Sequence, residues 1–494
     1  MVKYADFLDW DSWNDNLWWS GGRDDQRLQS REEGEILQKN REKFAAMEKK
    51  VWLVLLVLVL SVTFPGSSVA ANWKFNKKPT TSSSGNSVGS SVVFRVDGNV
   101  YPDGLYYVTF NIGNPPKPYY LDLDTGSDLT WLQCDAPCVH CDKVPHPLYR
   151  PNNMNLVICK EPICTALESN DCHNPNEQCH YSIEYADQGS SLGVLTKDVF
   201  PLRFTNGSIL APTLTIGCGY DQQGFCPGPV CPTDGVLGLG NGGASIISQF
   251  KNQGLTKNVI GHCLSGQSGG YLFFGDEVVP SSGVVWTPMT PYSIEKHYSP
   301  GAAELSFGRK HPSVNGLKTV FDSGSSYTYF NSMAYQALIS AMKKDLVGKP
   351  LKEAPDDNTL PLCWKRAKPF KFVAEAKSYF SSVVLSFGNG KKAQLEITPE
   401  SYLIVSKSGN VCLGILNGSE VGLEDLNLIG DTSMRNKMVI YDNEKQQIGW
   451  IPADCHRLPK VDSDADEGFY QPYTASLGIL QEKCQATYDL QEDL

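Results

Sequence analysis

The sequence predicts a mainly β protein built from two lobes of similar design. Its 494 residues exceed the length of one ordinary domain, and 41% of them are hydrophobic, which is enough for a core in each of two lobes. From residue 92 onward, short apolar runs alternate with clusters of Gly and Pro, a pattern typical of β-hairpins. In addition, a pair of short motifs occurs twice in the same order.

The first motif places an aspartate at the end of an apolar strand. Residues 119–131 read YYLDLDTGSDLTW, and the apolar run stops at Asp124. A carboxylate is costly to bury there unless hydrogen bonds hold it. Thr125 and Ser127 can supply such bonds, and Gly126 lets the backbone turn where a Cβ would clash. Taken alone, the tripeptide is more typical of a simple Asx turn.

The same motif recurs in the second half of the chain. Residues 318–329 read KTVFDSGSSYTY. The four-residue loop of this copy consists of Asp322, Ser323, Gly324 and Ser325. Each copy is followed, at nearly equal spacing, by two apolar residues and a glycine: VLG at 236–238 and LIG at 428–430. Two motifs repeated in one order indicate a duplicated lobe.

With these motifs the chain resembles the pepsin-like aspartic proteases, and among them the plant nepenthesin and nucellin-like group. The resemblance runs from about Val92 to Cys455 and includes the segment YADQGS at 185–190, which is similar to the family's flap. It implies a mainly β, bilobal pepsin-like fold with pseudo-twofold lobes and a cleft between them. The N-terminal lobe is expected at 92–280 and the C-terminal lobe at 281–456.

The resemblance implies that Asp124 and Asp322 are the catalytic pair of an aspartic endopeptidase. Two acids a hydrogen bond apart share one proton and can hold a water molecule between them. The ionised acid takes a proton from the water as it attacks the peptide carbonyl, and the protonated acid donates to the carbonyl oxygen. This chemistry works at acid pH and needs no metal or other cofactor, so none is expected.

Six neighbouring residues are implied to support the pair. They are Thr125, Gly126, Ser127, Ser323, Gly324 and Ser325. By resemblance, Thr125 and Ser323 would hydrogen-bond across the lobes, while Ser127 and Ser325 would orient the outer carboxylate oxygens.

The flap is expected around Tyr185, which would close over the substrate. Trp131 would pack beneath it and anchor its hydroxyl. The alternative for both is an ordinary packed aromatic residue of a β structure. The usual plant form of the flap is YGDGS, and this chain carries Ala186 and Gln188 instead, which leaves flap flexibility and substrate preference open.

A second function from another class is a catalytically weak pepsin-fold protein that binds or inhibits another enzyme, as plant xylanase inhibitors do. Both aspartate loops are intact, which favours the peptidase. The histidines are scattered and form no H-E-x-x-H, so we expect neither a metalloprotease site nor a serine-type site. The net charge of −11, without a dense basic run, argues against nucleic-acid binding. We expect a monomer that acts on proteins or peptides.

The termini predict a route through the secretory pathway. Residues 47–71 begin with a basic MEKK, continue through a short apolar run and end in small residues, which is typical of a signal peptide; a signal anchor is the alternative. We interpret residues 1–46 as a gene-model extension or a disordered segment, and 72–91 as a flexible linker or short propeptide. Residues 457–494 are expected to form a disordered acidic tail. After signal cleavage we expect no stable membrane association and an extracellular (apoplastic) or vacuolar location.

Cysteine usage agrees with secretion. The chain has 15 cysteines, and ten of them lie between Cys134 and Cys231. The pair Cys138 and Cys141 has a spacing that also suits zinc ligands, but disulfides are favoured for a secreted chain. The odd count leaves at least one cysteine unpaired, for which Cys484 is the natural candidate.

Specific bridges and modification sites follow from local patterns. The close pairs Cys159/Cys164 and Cys226/Cys231 suggest local bridges, and the resemblance implies a bridge in the second lobe. That bridge would join Cys363 and Cys412. Sequons at Asn206 and Asn417 are candidates for N-glycosylation. Apolar periodicity further predicts an amphipathic helix at 335–346 and a shorter one at 244–250.

Overall fold

The computed structural model describes residues 90–459 except for a few short gaps. The gaps are residues 136–137, 152–154, 168–171, 225, 227–229, 291–296, 309–312 and 389–392. The expected extension, signal peptide, most of the linker, the tail after residue 459 and Cys484 therefore lie outside the described residues. Among the residues that are described, no helix has the length and apolar character needed to cross a membrane.

Strands dominate the described residues, so the expectation of a mainly β fold is confirmed. Twelve strands lie in the first half: β1 (Val92–Asn99), β2 (Leu105–Ile112), β3 (Lys117–Asp124), β4 (Trp131–Gln133), β5 (His180–Glu184), β6 (Ser190–Val199), β7 (Leu202–Arg203), β8 (Ile209–Leu210), β9 (Thr213–Gln223), β10 (Gly235–Gly238), β11 (Val259–Leu264) and β12 (Gly270–Phe274). The second half contributes β13 (Val285–Pro288), β14 (Gly301–Phe307), β15 (Val314–Phe321), β16 (Thr328–Phe330), β17 (Lys352–Glu353), β18 (Cys363–Lys365), β19 (Val383–Phe387), β20 (Ala393–Ile397), β21 (Leu403–Val405), β22 (Val411–Leu413), β23 (Ile415–Asn417), β24 (Leu426–Ile429), β25 (Lys437–Asp442) and β26 (Gln447–Pro452).

The described strands form four sheets. The largest has 13 strands in the order β13-β26-β25-β11-β12-β1-β2-β3-β10-β4-β9-β6-β5. The second has seven, in the order β20-β19-β14-β15-β24-β16-β23, and smaller sheets join β17-β18-β22-β21 and β7-β8. In the largest sheet β11 pairs antiparallel with β25, with Val259 opposite Asp442. Strands from both halves of the chain thus share one sheet, which ties the halves together.

A four-strand arrangement is repeated in the two halves. In the first, β10 runs parallel to β3 with Gly238 opposite Asp124, antiparallel β4 follows, and parallel β9 comes next. In the second, β24 runs parallel to β15 with Ile429 opposite Phe321, and β16 and β23 follow with the same directions. The doubled sequence motif therefore corresponds to a doubled topology, as the expected bilobal fold requires.

Four α-helices lie in the described part of the chain. They are α1 (Pro162–Thr165), α2 (Ile246–Asn252), α3 (Ser332–Leu346) and α4 (Asp431–Met434), and the 3-10 helices are Val373–Tyr379, Pro399–Ser401 and Gly418–Val421. Both expected helices are present, with shifted ends. Helix α3 begins three residues early because the Asn331 side chain caps it, accepting a hydrogen bond from Ala334 N at 3.0 Å.

Aromatic side chains of the second half pack next to the second aspartate loop, and one of them bonds to the first half. The rings of Tyr298 and Tyr441 lie 4.1 Å apart, and those of Phe321 and Trp450 lie 6.0 Å apart. The Tyr298 hydroxyl donates to the main-chain oxygen of Leu239, in the first half, at 3.0 Å. All of these side chains are buried, so the loop rests on a rigid apolar base.

Disulfide bridges pair fourteen of the cysteines. The pairs are Cys134–Cys218, Cys138–Cys141, Cys159–Cys172, Cys164–Cys179, Cys226–Cys231, Cys263–Cys455 and Cys363–Cys412. The bridges expected for Cys226 and for Cys363 are present. The bridge expected between Cys159 and Cys164 is wrong.

The reason for that correction is long-range backbone pairing. Cys159 N donates to Glu177 O at 3.0 Å, and Cys179 N donates to Val157 O at 2.8 Å. These bonds place residues 157–159 beside residues 177–179. Cys159 therefore bonds to Cys172 and Cys164 bonds to Cys179, although Cys159 and Cys164 are closer to each other along the chain.

Candidate active site

Each loop aspartate lies where a buried strand ends. Asp124 is the last residue of β3, and Asp322 directly follows β15. Leu239 N donates to Asp124 O at 2.8 Å, and Asp322 N donates to Ile429 O at 3.1 Å, so the neighbouring parallel strand fixes each loop. Asp124 is 0% and Asp322 5% exposed. Two buried carboxyls need partners, and the loops provide them.

The two carboxyls have matching hydrogen-bond sets. Asp124 Oδ1 accepts from Gly126 N at 2.8 Å, and its Oδ2 accepts from the Ser127 hydroxyl at 2.5 Å. Asp322 Oδ1 accepts from Gly324 N at 2.9 Å, and its Oδ2 accepts from the Ser325 hydroxyl at 2.6 Å. The serines hold one oxygen of each carboxyl, as the resemblance implies, and the glycine amides hold the other.

A reciprocal set of hydrogen bonds joins the loops. Thr125 N donates to Ser323 Oγ at 3.1 Å, and Ser323 N donates to Thr125 Oγ1 at 2.9 Å. The same hydroxyls donate onward, Thr125 Oγ1 to Phe321 O at 3.2 Å and Ser323 Oγ to Leu123 O at 3.1 Å. All four bonds are buried and cross between the halves. They fix the position of one aspartate relative to the other.

The glycines of the loops allow the carboxyls to approach each other. A methyl group on Gly126 would lie 2.6 Å from Asp322 Oδ1 and 3.1 Å from Asp124 Oδ1. A methyl group on Gly324 would lie 2.4 Å from Asp124 Oδ1 and 3.2 Å from Asp322 Oδ1. Each glycine therefore touches the carboxyl of the opposite half. Because the methyl position of Gly324 lies 2.4 Å from one Oδ1 and 3.2 Å from the other, the two Oδ1 atoms are at most about 5.6 Å apart, a span that one water molecule can bridge.

Tyr185, the expected flap residue, lies at the tip of the β5–β6 hairpin. Tyr185 N donates to Gly189 O at 2.8 Å, and Trp131 Nε1 donates to the Tyr185 hydroxyl at 2.7 Å. Trp131 is fully buried, so it holds the tyrosine from the core of the first half, in the arrangement that the resemblance implies. Gln188 has a φ of +68°, which a residue other than glycine adopts at a cost. The departure from the usual plant flap thus falls on a strained turn.

A cleft of about 550 Å³ opens between the flap, both loops and the second half. It is lined by Gly126, Ser127, Ile183, Glu184, Tyr185, Ala186, His297, Val320, Asp322, Gly422, Leu423, Glu424, Asp425, Leu426 and Leu428. One aspartate of the pair, the flap tyrosine and a loop before β24 therefore share one cavity. Its volume lies within the range of protein ligand sites.

Comparisons with known proteins agree with this geometry. Family models described as "Xylanase inhibitor N-terminal" and "Xylanase inhibitor C-terminal" match residues 106–276 and 305–452. An aspartic proteinase of rice (Oryza sativa subsp. japonica) is 46% identical over 76% of this chain and 93% of its own length. The chain belongs to the pepsin-like aspartic protease family.

More distant members and solved structures extend the match. Aspartic proteinase nepenthesin-1 of Nepenthes gracilis is 26% identical over 73% of this chain and 80% of its own. The fold matches basic 7S globulin from soybean with a TM-score of 0.57 at 17% identity, over 76% of this chain and all of that one. An aspartic proteinase from Irpex lacteus matches with a TM-score of 0.53 at 18% identity, over 74% and 98%. At these identities the structures establish the fold alone.

Electrostatics of this aspartic protease fold favour a retained proton in the pair. Burial, and then the nearby Asp322, raise the pKa of Asp124, while hydrogen bonds from Ser127 and Gly126 act in the opposite direction. Burial and the negative charge of Asp124 also raise the pKa of Tyr185, so its hydroxyl stays neutral.

A further buried acid escaped the sequence-based reasoning. Asp431 follows the LIG segment and is fully buried, and neither of its carboxyl oxygens has a hydrogen-bond partner among the described residues. Burial, followed by Asp122 and Asp322, raises its pKa well above the ordinary range, and Arg435 opposes the shift. The only signal in the sequence was an acid next to an apolar strand, the same signal that marked Asp124.

The candidate glycosylation sites differ in their surroundings. Asn206 is exposed on a turn, and its Oδ1 accepts from Ser208 N at 2.9 Å. Asn417 ends β23 and is half-buried, and its Nδ2 donates to Glu420 Oε1 at 2.9 Å. Asn206 is thus the more accessible of the two, and glycosylation of either remains a prediction.

Proposed function

We propose that this chain is an aspartic endopeptidase that hydrolyses peptide bonds of proteins or peptides at acid pH. Its nucleophile is a water molecule held between Asp124 and Asp322. The observation that carries this proposal is the matched hydrogen-bond set around two buried carboxyls beside a cleft. A protein that only binds other proteins has no use for two such carboxyls, whose burial is costly.

The chemistry needs one neutral and one ionised acid. The ionised carboxylate accepts a proton from the water as its oxygen bonds to the peptide carbonyl carbon, and the neutral carboxyl gives its proton to the carbonyl oxygen. In the second step the C–N bond breaks. The amine takes a proton from one carboxyl, and a hydroxyl of the intermediate returns a proton to the other. Sharing of a proton in this way is the established behaviour of aspartic protease dyads, which titrate as one unit.

The surrounding groups position this pair. The glycine amides and the serine hydroxyls orient the carboxyls, and the reciprocal bonds of Thr125 and Ser323 set their separation. Tyr185 lines the same cleft and would cover a bound peptide. The water would therefore be held in a fixed place close to the carbonyl of the bound peptide.

The pH dependence follows from the raised pKa of Asp124. Below it, the pair keeps the proton that the carbonyl oxygen must receive. As pH rises through this pKa, the second proton leaves, the general acid is lost and the rate falls. At very low pH both acids are protonated, the general base is lost and the rate falls again.

A second candidate is a protein that binds or inhibits another enzyme. The descriptions of the matching family models, which name xylanase inhibitors, favour it. The intact pair favours the peptidase. We also propose that the chain acts in the secretory pathway, in the apoplast or vacuole, and as a monomer. The seven disulfide bridges of the described residues support the oxidising compartment.

The deciding experiment is incubation of the purified protein with a denatured protein substrate between pH 2 and 7. We expect cleavage that peaks in acid and is inhibited by pepstatin, which mimics the tetrahedral intermediate. Folded protein that cleaves nothing across this range, but binds a xylanase in a pull-down with purified components, would reverse the order of the two candidates.

A further inference from the structure

The cleft beside Asp322 combines an apolar wall with acidic groups. Its apolar lining is formed by Ile183, Val320, Leu423, Leu426 and Leu428. These side chains come from the flap strand β5, from β15, and from β24 and the loop before it. A substrate side chain that enters here meets hydrocarbon on several sides.

Three carboxylates line the same cavity from two directions. Glu184 lies at the end of the flap strand, and Glu424 and Asp425 lie on the loop before β24. All three are exposed. Among the described lining residues there is no lysine or arginine, and His297 is the one basic side chain. A substrate in the cleft is therefore flanked by negative groups on both the flap side and the loop side.

The three carboxylates have no partner among the residues that the structure describes. Within the described part of the chain, none of them forms an ion pair or accepts a hydrogen bond. Elsewhere on the surface, exposed acids have cationic partners: Glu353 lies 2.9 Å from Lys343, and Asp356 lies 2.6 Å from Lys365. Ion pairs within the protein thus account for the presence of these exposed acids, but not for the presence of the three acids in the cleft.

We propose that this cavity is a subsite for a lysine or arginine side chain of the substrate. Such a side chain has a hydrocarbon stem that packs on apolar walls and a cationic head that seeks carboxylates. A purely apolar residue would fill the walls but leave the carboxylates without a partner. This inference rests on the proposed peptidase function, because it names the substrate class of the same cleft.

The subsite lies next to the bond that is cut. Asp322 and Tyr185 line the same cavity, so a side chain held there belongs to a residue directly before or directly after the scissile bond. The preference for a basic residue should therefore occur at one of these two positions and not at both.

The test uses peptides with a hydroxyethylene group in place of the scissile bond, which bind without being cut. In each of two pairs, one residue flanking this group is lysine in one peptide and norleucine in the other. Norleucine keeps the stem and removes the charge. For the intact protein we expect the lysine peptide of one pair to bind roughly fivefold more tightly, the size of two partly exposed ion pairs.

Two double variants with the same charge change, E424Q/D425N in the cleft and E353Q/D356N outside it, distinguish an effect of the cleft carboxylates from an effect of net surface charge. E424Q/D425N should lose most of the lysine preference, and E184Q should lose part of it. The control E353Q/D356N removes the same residue types outside the cleft and should keep the preference. Equal binding of lysine and norleucine in both pairs, or a preference that survives in E184Q/E424Q/D425N, would overturn the subsite.

Cleavable versions of the same peptides, measured in parallel, separate this inference from the peptidase proposal. Pepstatin-sensitive cleavage of both members of each pair at equal rates would overturn the subsite and leave the peptidase standing. Lysine-selective binding without cleavage of any peptide would overturn the peptidase and support the subsite.

Discussion

Replacement of Thr125 by valine tests the bonds that hold the two aspartate loops together. The side chain keeps its shape but loses Oγ1, which accepts from Ser323 N at 2.9 Å and donates to Phe321 O at 3.2 Å. The buried N–H of Ser323 then loses this partner. An unsatisfied buried donor costs about 1–3 kcal/mol, so the free energy of unfolding should fall by that amount. Because the bond fixes one aspartate relative to the other, kcat should fall roughly 10- to 100-fold while KM changes little.

The assay combines denaturant unfolding with steady-state cleavage of a fluorogenic peptide at acid pH. Thr130→Val is the matched control. Thr130 is also buried, and its Oγ1 accepts from Gly238 N at 3.2 Å, but this bond lies within the first half. The control should lose a similar free energy of unfolding and keep most of its kcat.

Two results would refute this reasoning. A Thr125→Val protein that is destabilised but keeps its kcat would mean that the bonds between the halves do not position the pair. Equal losses of kcat in the two variants would mean that general destabilisation, and not the separation of the aspartates, limits the rate.

Three further predictions concern the glycine, the buried acid and a long-range bridge. Gly324→Ala should fold but lose activity roughly 100-fold or more in the peptide assay, because its methyl group would lie 2.4 Å from Asp124 Oδ1. Asp431 has a raised pKa in the folded protein. Its protonated side chain therefore contributes fully to stability below about pH 4, the pKa of an aspartate in the unfolded chain. This contribution is lost as the pH rises toward the pKa of Asp431 in the folded protein. Melting temperatures between pH 3 and 8 should therefore fall toward neutral pH in the wild type and less in Asp431→Asn. Removal of the Cys263–Cys455 bridge, which spans 192 residues, by a double serine variant should lower the free energy of unfolding by about 2–5 kcal/mol in denaturant titrations, and an unchanged value would contradict its structural role.

Local signals made much of the site predictable. The loops around Asp124 and Asp322 were identified because each combines an apolar strand, an acid, a glycine and hydroxyls within a few residues, and because the combination occurs twice. Helix α3 was found from its period, with only its capped start displaced. The Cys226–Cys231 bridge closes a loop of a few residues, so its spacing alone suggested it.

Features that depend on distant pairing were not predictable. The partners of Cys159 and Cys164 are set by the backbone pairing of residues 157–159 with 177–179. The loop before β24 lines the cleft because the fold places it opposite the flap, which is distant in sequence. Glu184 lines the cleft, and no pattern in the sequence records which surface this residue faces. Asp431 is buried near acids of both halves, Asp122 and Asp322, and no local pattern in the sequence records this proximity.

The catalytic pair is tested most directly by turnover of Asp124→Asn and Asp322→Asn, compared with Asp442→Asn. Asp442 is also buried, and its Oδ1 accepts from Lys445 N at 2.9 Å, but it does not line the cleft. With all three variants shown to be folded by their melting curves, either member of the pair should lose roughly 100- to 10,000-fold in kcat, because each loss removes the shared proton or the base. The double variant should lose little more, since the two act as one unit, and Asp442→Asn should stay active. Substantial pepstatin-sensitive cleavage by folded Asp124→Asn or Asp322→Asn would contradict the proposed mechanism.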